Sequence, residues 1–217
     1  MVSTGIRPAR WLAAPVVGVL FVLGVWVAGG LITNSFKAAM ALTAAWVVGF
    51  GAACLAVAIR HRTLRVPVLG AFVVTAAAVG GFLAWTTLHD KVVHEKLAAG
   101  VELRAGRFRS LEHSSHGLAS IIRLSDGRRL LTLRDFSTSP GPDLRVRLVV
   151  GRSTDGSSRG ALDLGALKGN KGDQQYELPA AAGARYQTVV IWCRAFSAEF
   201  ASAMLRTSVR QPGIATK

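Results

Sequence analysis

LASIIRLSDGRRLLTL, residues 118–133, decides how the second half of this chain reads. Two apolar-rich runs flank Ser125-Asp126-Gly127. Asp-Gly tolerates the positive φ values of a tight hairpin turn, so the stretch predicts two antiparallel strands. Working outward, RFRSLE (107–112) opens an earlier strand. LRVRLVV (144–150) follows the turn cluster SPGPD, with Leu144, Val146 and Leu148 facing in and Arg145 and Arg147 facing water. RSTDGSSRG (152–160) reads as a flexible loop. QQYELP (174–179) and YQTVVIWC (186–193) are further strands, and Phe196–Leu205 fits either a last strand or a short helix. Short strands with frequent turn signals predict an antiparallel β-sandwich or barrel over residues 106–210, with 211–217 a disordered tail.

The first half is of another kind. Residues 1–88 hold no Asp or Glu, and the mean hydropathy of the whole chain is +0.38. Trp11–Thr33, Ala38–Ile59 and Val66–Leu88 carry no charge, and each is about the 20 residues that cross a hydrocarbon core. The expected architecture is therefore membrane-anchored α plus all-β: a three-helix transmembrane anchor over 1–88, a juxtamembrane linker over 89–105, then the β domain. HDKVVHEKLAA (89–99) reads as a continuation of the third helix. On it His89 and His94 would fall on different faces, away from a shared metal.

Basic residues set the expected orientation. Arg7 and Arg10 share one side with Arg60, Arg62 and Arg65, and the other connector holds only Lys37. By the positive-inside rule the amino terminus is cytoplasmic and the carboxy-terminal domain extracytoplasmic, in a multi-pass plasma-membrane protein. The alternative is a cleaved signal peptide ending at VAG (27–29), for which the first apolar run is too long. No span carries a buried acid, lysine or histidine, which argues against a pump or channel and against haem held between helices. The Gly- and Ala-rich spans suit self-association. The Ala/Arg/Gly-heavy composition suggests a bacterium.

After position 88, 20 of the 26 basic residues face all 12 acids, a balance of +8. Arginines alternating with apolar residues read as solvated sheet faces attracted to a lipid bilayer with anionic headgroups, and not as a nucleic-acid footprint. A specific anionic ligand is the lesser alternative.

GPDLRVRL (141–148), DLGALKGNKGDQQYELP (163–179) and VVIWCRAFSAEFASAML (189–205) resemble, in order, the domain family called DM-thirteen, or electron-transfer DM-thirteen. The resemblance covers about residues 106–205 and leaves the spans aside. It implies an extracellular or membrane-tethered all-β domain with redox work through Cys193, as a bare thiol or as a ligand to a group such as haem.

Cys193 is also the residue that draws attention on chemical grounds. The only other cysteine, Cys54, lies inside a span. A lone thiol in an oxidising compartment is unusual, yet a buried cysteine also serves as a small hydrophobe. Trp192 would shield the site or stack on a planar cofactor. His113 and His116, with Glu112, are the candidate metal or haem ligands, against a reading as polar turn histidines. No Cys-x-x-Cys-His occurs, so covalent c-type haem is excluded, and the cofactor expectation is none or haem. Asp163 and Asp173 would bind a cation only against Lys168 and Lys171. No hydrolase or transferase residue set stands out. Two readings remain: a redox domain with a redox partner, and an envelope-binding module in which Cys193 only packs.

Overall fold

The computed structural model describes residues 8–207. Arg7 and the tail 211–217 lie outside the described residues. Two compact units emerge among the described residues: one holds residues 8–86 together with Ala195–Ser197, the other Thr87–Arg194 and residues 198–207.

The first unit contains a 3-10 turn (Pro8–Leu12) and three α-helices, α1 (Ala13–Gly30), α2 (Phe36–Arg60) and α3 (Arg65–Leu88). All three are long and apolar enough to cross a membrane. An aromatic cluster links them: Phe21 of α1 meets Phe50 of α2 at 5.8 Å and Phe72 of α3 at 5.6 Å between ring centroids. The Trp46 indole N–H donates to the Phe21 carbonyl at 3.2 Å. Gly24 makes room for that indole, since a Cβ there would overlap it. At the end of α2 the Arg65 guanidinium donates to the Ala58 carbonyl at 2.8 Å, satisfying one of the carbonyls a helix end leaves open. Val48, Val66, Val74 and Trp85 are exposed, as side chains facing lipid would be.

The helix expected to continue over His89–Ala99 is not formed. α3 stops at Leu88, and Val92–His94 form strand β1. The physical reason lies far along the chain. Asn170 accepts the Lys91 N–H at 2.6 Å and donates to the Asp90 carboxylate at 2.7 Å, while Lys171 also pairs with Asp90. Glu95 accepts from the Gln175 N–H at 2.9 Å and from Lys168 at 2.7 Å. Tertiary bonds of this kind override a modest local helix preference.

The second unit continues with β2 (Val101–Ser110), β3 (His116–Arg123), β4 (Arg129–Ser137), β5 (Leu144–Val150), β6 (Leu162–Ala166), β7 (Lys171–Leu178), β8 (Tyr186–Cys193), β9 (Ala198–Met204) and β10 (Arg206–Thr207). β3 and β4 are the hairpin about Asp126-Gly127, with Gly127 at φ +86°. β2 starts at Val101, earlier than RFRSLE implied, and the Phe196–Leu205 segment resolves as a strand. The order is β1-β7-β4-β3-β2-β9-β8-β5-β6, with β10 added beside β2. Among the described residues, only β1 and β7 run parallel. The result is a single curled, mostly antiparallel half-barrel.

Curling follows from connectivity. β6 and β7 are consecutive in the chain but seven pairing steps apart in the sheet. A flat sheet would separate them by about 34 Å, at roughly 4.8 Å per step. The chain from Ala166 to Lys171 reaches about 19 Å at most, at about 3.8 Å per residue. The sheet must therefore bring its ends together. Its concave side is apolar: Leu131 and Leu133 of β4 lie opposite Ile121 and Ala119 of β3, and all four are at most 2% exposed. On their other side lie Tyr176 and Gln174 of β7.

β1 approaches β7 at Gly172, whose φ is +97° and where a Cβ would collide with the Val93 carbonyl. Gly172→Ala is expected to destabilise the β domain by about 2–3 kcal/mol, through both the clash and the unfavourable dihedral. Chemical denaturation checks this, and an unchanged midpoint would contradict it.

Candidate functional site

Cys193 ends β8, paired with Leu144 of β5 and Ala198 of β9. It is 0% exposed. Val189 and Ile191 share its face, and the register sets Leu144, Val146 and Leu148 beside them. This is the concave, apolar side of the sheet. The Arg194 guanidinium is held by Asp143 at 2.6 Å, and the Arg194 N–H donates to the Asp143 carbonyl at 2.9 Å.

Three stretches, GPDLRVRL, LKGN and IWC, meet at Leu144. Leu144 pairs with Cys193, and its carbonyl accepts the Leu167 N–H at 2.7 Å. Gly141 lies against the Leu144 and Phe200 side chains. The Leu167–Asn170 turn is organised around Gln174, which is 0% exposed. Its side-chain carbonyl accepts from the Lys168 N–H at 3.1 Å, the Gly169 N–H at 3.3 Å and the Tyr176 hydroxyl at 2.8 Å. Its amide donates to the Gly169 carbonyl at 2.8 Å. A buried amide is tolerable only when satisfied in this way. Burial pushes the Tyr176 hydroxyl well above the usual range, so it stays a donor. Asp163 and Asp173 do not share a cation: Asp163 pairs with Arg145 at 2.7 Å, and Asp173 accepts the Asp135 N–H at 2.8 Å.

Trp192 points to the opposite side of the sheet from Cys193, with Val190 and Val149. It is therefore not placed to stack on a group bound at the sulfur. The segment 152–160, expected to be a flexible loop, straps this face together with Ala161. Gly156 is buried against the indole, where a Cβ would fall 2.8 Å from the ring. The Arg147 guanidinium lies 4.9 Å from the indole centroid and donates to the carbonyls of Gly156 and Ala161. Glu199 accepts the Gly156 N–H at 3.2 Å. Arg145 and Arg147, expected to be solvated, are thus partly covered and bonded.

His113 stacks on Phe200, with centroids 3.8 Å apart and planes 25° apart. Burial lowers its pKa against the opposing pull of Glu112, so its neutral form is favoured. His116 is exposed at the start of β3, opposite Ser137. Among the described residues, no group of three or more His, Cys, Asp or Glu side chains is arranged to hold a metal. A haem pocket leaves its axial ligand facing a hollow the size of the macrocycle. The fully covered Cys193 sits instead in filled packing, so the residues present do not fit a haem at that sulfur.

Burial raises the pKa of Glu199, with Asp155 and Glu112 adding repulsion and the Gly156 N–H opposing. A carboxyl whose folded pKa lies above its unfolded one stabilises the fold below the unfolded pKa. That contribution is lost as pH rises through the folded value. Glu199→Gln keeps an acceptor for Gly156 and removes the charge. It is expected to melt higher than the parent near neutral pH and to flatten the fall in stability that sets in as pH rises above the ordinary glutamate pKa. A variant that tracks the parent across that range would contradict the assignment.

No curated protein and no solved structure matches the chain. Residues 107–205 match the family model described as Electron transfer DM13, so the chain carries that domain behind its three apolar helices.

Proposed function

We propose that the chain is a membrane-anchored electron-transfer protein whose β domain lies outside the cytoplasm and works through the Cys193 sulfur. The observation that carries this reading is the match of residues 107–205 to an electron-transfer family. The arginine distribution, with Arg10, Arg60, Arg62 and Arg65 on one side and Lys37 on the other, supports the orientation. The burial of Cys193 constrains how the sulfur acts. Its reaction with a redox partner requires the end of β8 and the turn that follows to open locally, a motion far smaller than unfolding. His113 and Trp192 then serve as packing around the strand pair.

The complete burial of Cys193 between Leu144 and Ala198 favours a second reading. In it the sulfur only packs, and the β domain binds a component of the cell envelope.

Electron exchange between the purified full chain and a small redox mediator separates the two. The first reading predicts that Cys193→Ser folds with a similar melting temperature yet exchanges electrons at least about tenfold more slowly. Equal exchange by parent and variant would remove the sulfur from the mechanism. An absorption spectrum and metal analysis before and after reduction, on the same sample, report any bound centre.

A further inference from the structure

The strap that covers Trp192 also walls a second feature, on the convex side of β2, β9 and β8. A hollow of about 590 Å³ is lined by Arg107, Arg109, Arg152 and Arg206, with Ser110, Thr154, Thr188 and Ser202 among its hydroxyls and no acidic side chain. Small residues, Ala105, Gly106 and Ser202, are part of its lining, and the register places Ser202 directly across from Arg109. Arg107 and Arg109 flank the buried Phe108, so strand alternation turns both guanidiniums outward while the phenyl ring packs inward. Arg152 reaches the hollow from the strap and Arg206 from β10.

All four arginines are exposed, and none forms an ion pair among the described residues. They differ in this from Arg145, Arg128 and Arg194, each paired with a carboxylate. They differ too from Arg104, which donates to the carbonyls of Ala184 and Tyr186. Four like charges around one hollow repel each other, and an anion seated between them reverses that term. Guanidinium forks match phosphate oxygens two at a time, and the Thr154 and Ser202 hydroxyls donate to the remaining oxygens, while those of Ser110 and Thr188 are spent on the Ser115 and Gly151 carbonyls. The volume suits a small ligand and not a nucleic-acid duplex.

We propose that this hollow binds a phosphate-bearing anion, with Arg107, Arg109 and Arg152 as its principal contacts. The inference is independent of the role of Cys193. A lipid headgroup and a soluble organic phosphate present the same chemistry to the site.

The test titrates the full chain, held in phosphatidylcholine nanodiscs, with inorganic tripolyphosphate. Two double variants are compared with it: Arg107→Gln/Arg109→Gln, and Arg123→Gln/Arg128→Gln, which removes equal charge elsewhere on the sheet. Saturable binding is expected. The first pair should weaken it about tenfold or more and the second by about twofold at most. Arg152→Gln alone, on the strap, should weaken it as well and serves if the first double variant fails to fold. Phosphatidic acid vesicles separate the sources: capture of vesicles without a response to tripolyphosphate assigns a headgroup, and the converse a soluble ligand. Either result supports the site if Arg107, Arg109 and Arg152 govern it. Equal losses in the two double variants, no saturable binding of either probe, or binding only of a single-stranded oligonucleotide would overturn it.

Discussion

Four residues, Leu167 to Asn170, join β6 to β7, and the β domain is shaped by what that short connection must span. The two strands stand near opposite ends of the pairing order. So short a link is compatible with that order only if the sheet curls enough to bring β6 near β7. The curl is secured chemically. The Leu167 N–H binds the Leu144 carbonyl, the Tyr176 hydroxyl reaches the Ala166 carbonyl at 3.4 Å, and Gln174 satisfies the turn from the concave side. Asn170 extends the network outward. It donates to the Thr138 carbonyl at 2.9 Å and holds Asp90 and Lys91, which start the domain.

The curl explains why β8 is buried along nearly its whole length. Its concave face meets the apolar interior, and its convex face is covered by the strap over Trp192 and Val190. A strand covered on both sides reads as a continuous apolar run, as VVIWC does. Cys193 and Trp192, neighbours in sequence, consequently live in different environments. One is sealed in the interior, and the other stacks with Arg147 under Gly156. The same convex surface, one strand further on, loses its cover and becomes the arginine-lined hollow.

The hairpin at Asp126-Gly127, the alternation of LRVRLVV and the strand YQTVVIWC were legible because each rests on local periodicity or turn chemistry. The three apolar helices were legible for the same reason. β1 was not: HDKVVHEKLAA carries a reasonable helix pattern, and only bonds to Asn170, Lys171 and Gln175 extend it. Nor was the strap legible, since RSTDGSSRG is turn-rich and its order depends on Gly156 meeting an indole some 36 positions later. Among the candidate residues, the face of Cys193 followed from alternation, but its full coverage depends on β5 and β9 flanking it in the folded sheet. The pairing of Arg107 and Arg109 was visible in RFRSLE, yet nothing local joins them to Arg152 and Arg206. In IWC the alternation alone separates Trp192 from Cys193, a signal that adjacency in the sequence obscured.

The β domain as a whole depends on the curl that brings β6 near β7. Spin labels at Ala166→Cys and Glu177→Cys, both exposed positions, test it by double electron–electron resonance on the full chain. The account predicts a single narrow distance under about 20 Å, and a distribution centred beyond about 30 Å would contradict it.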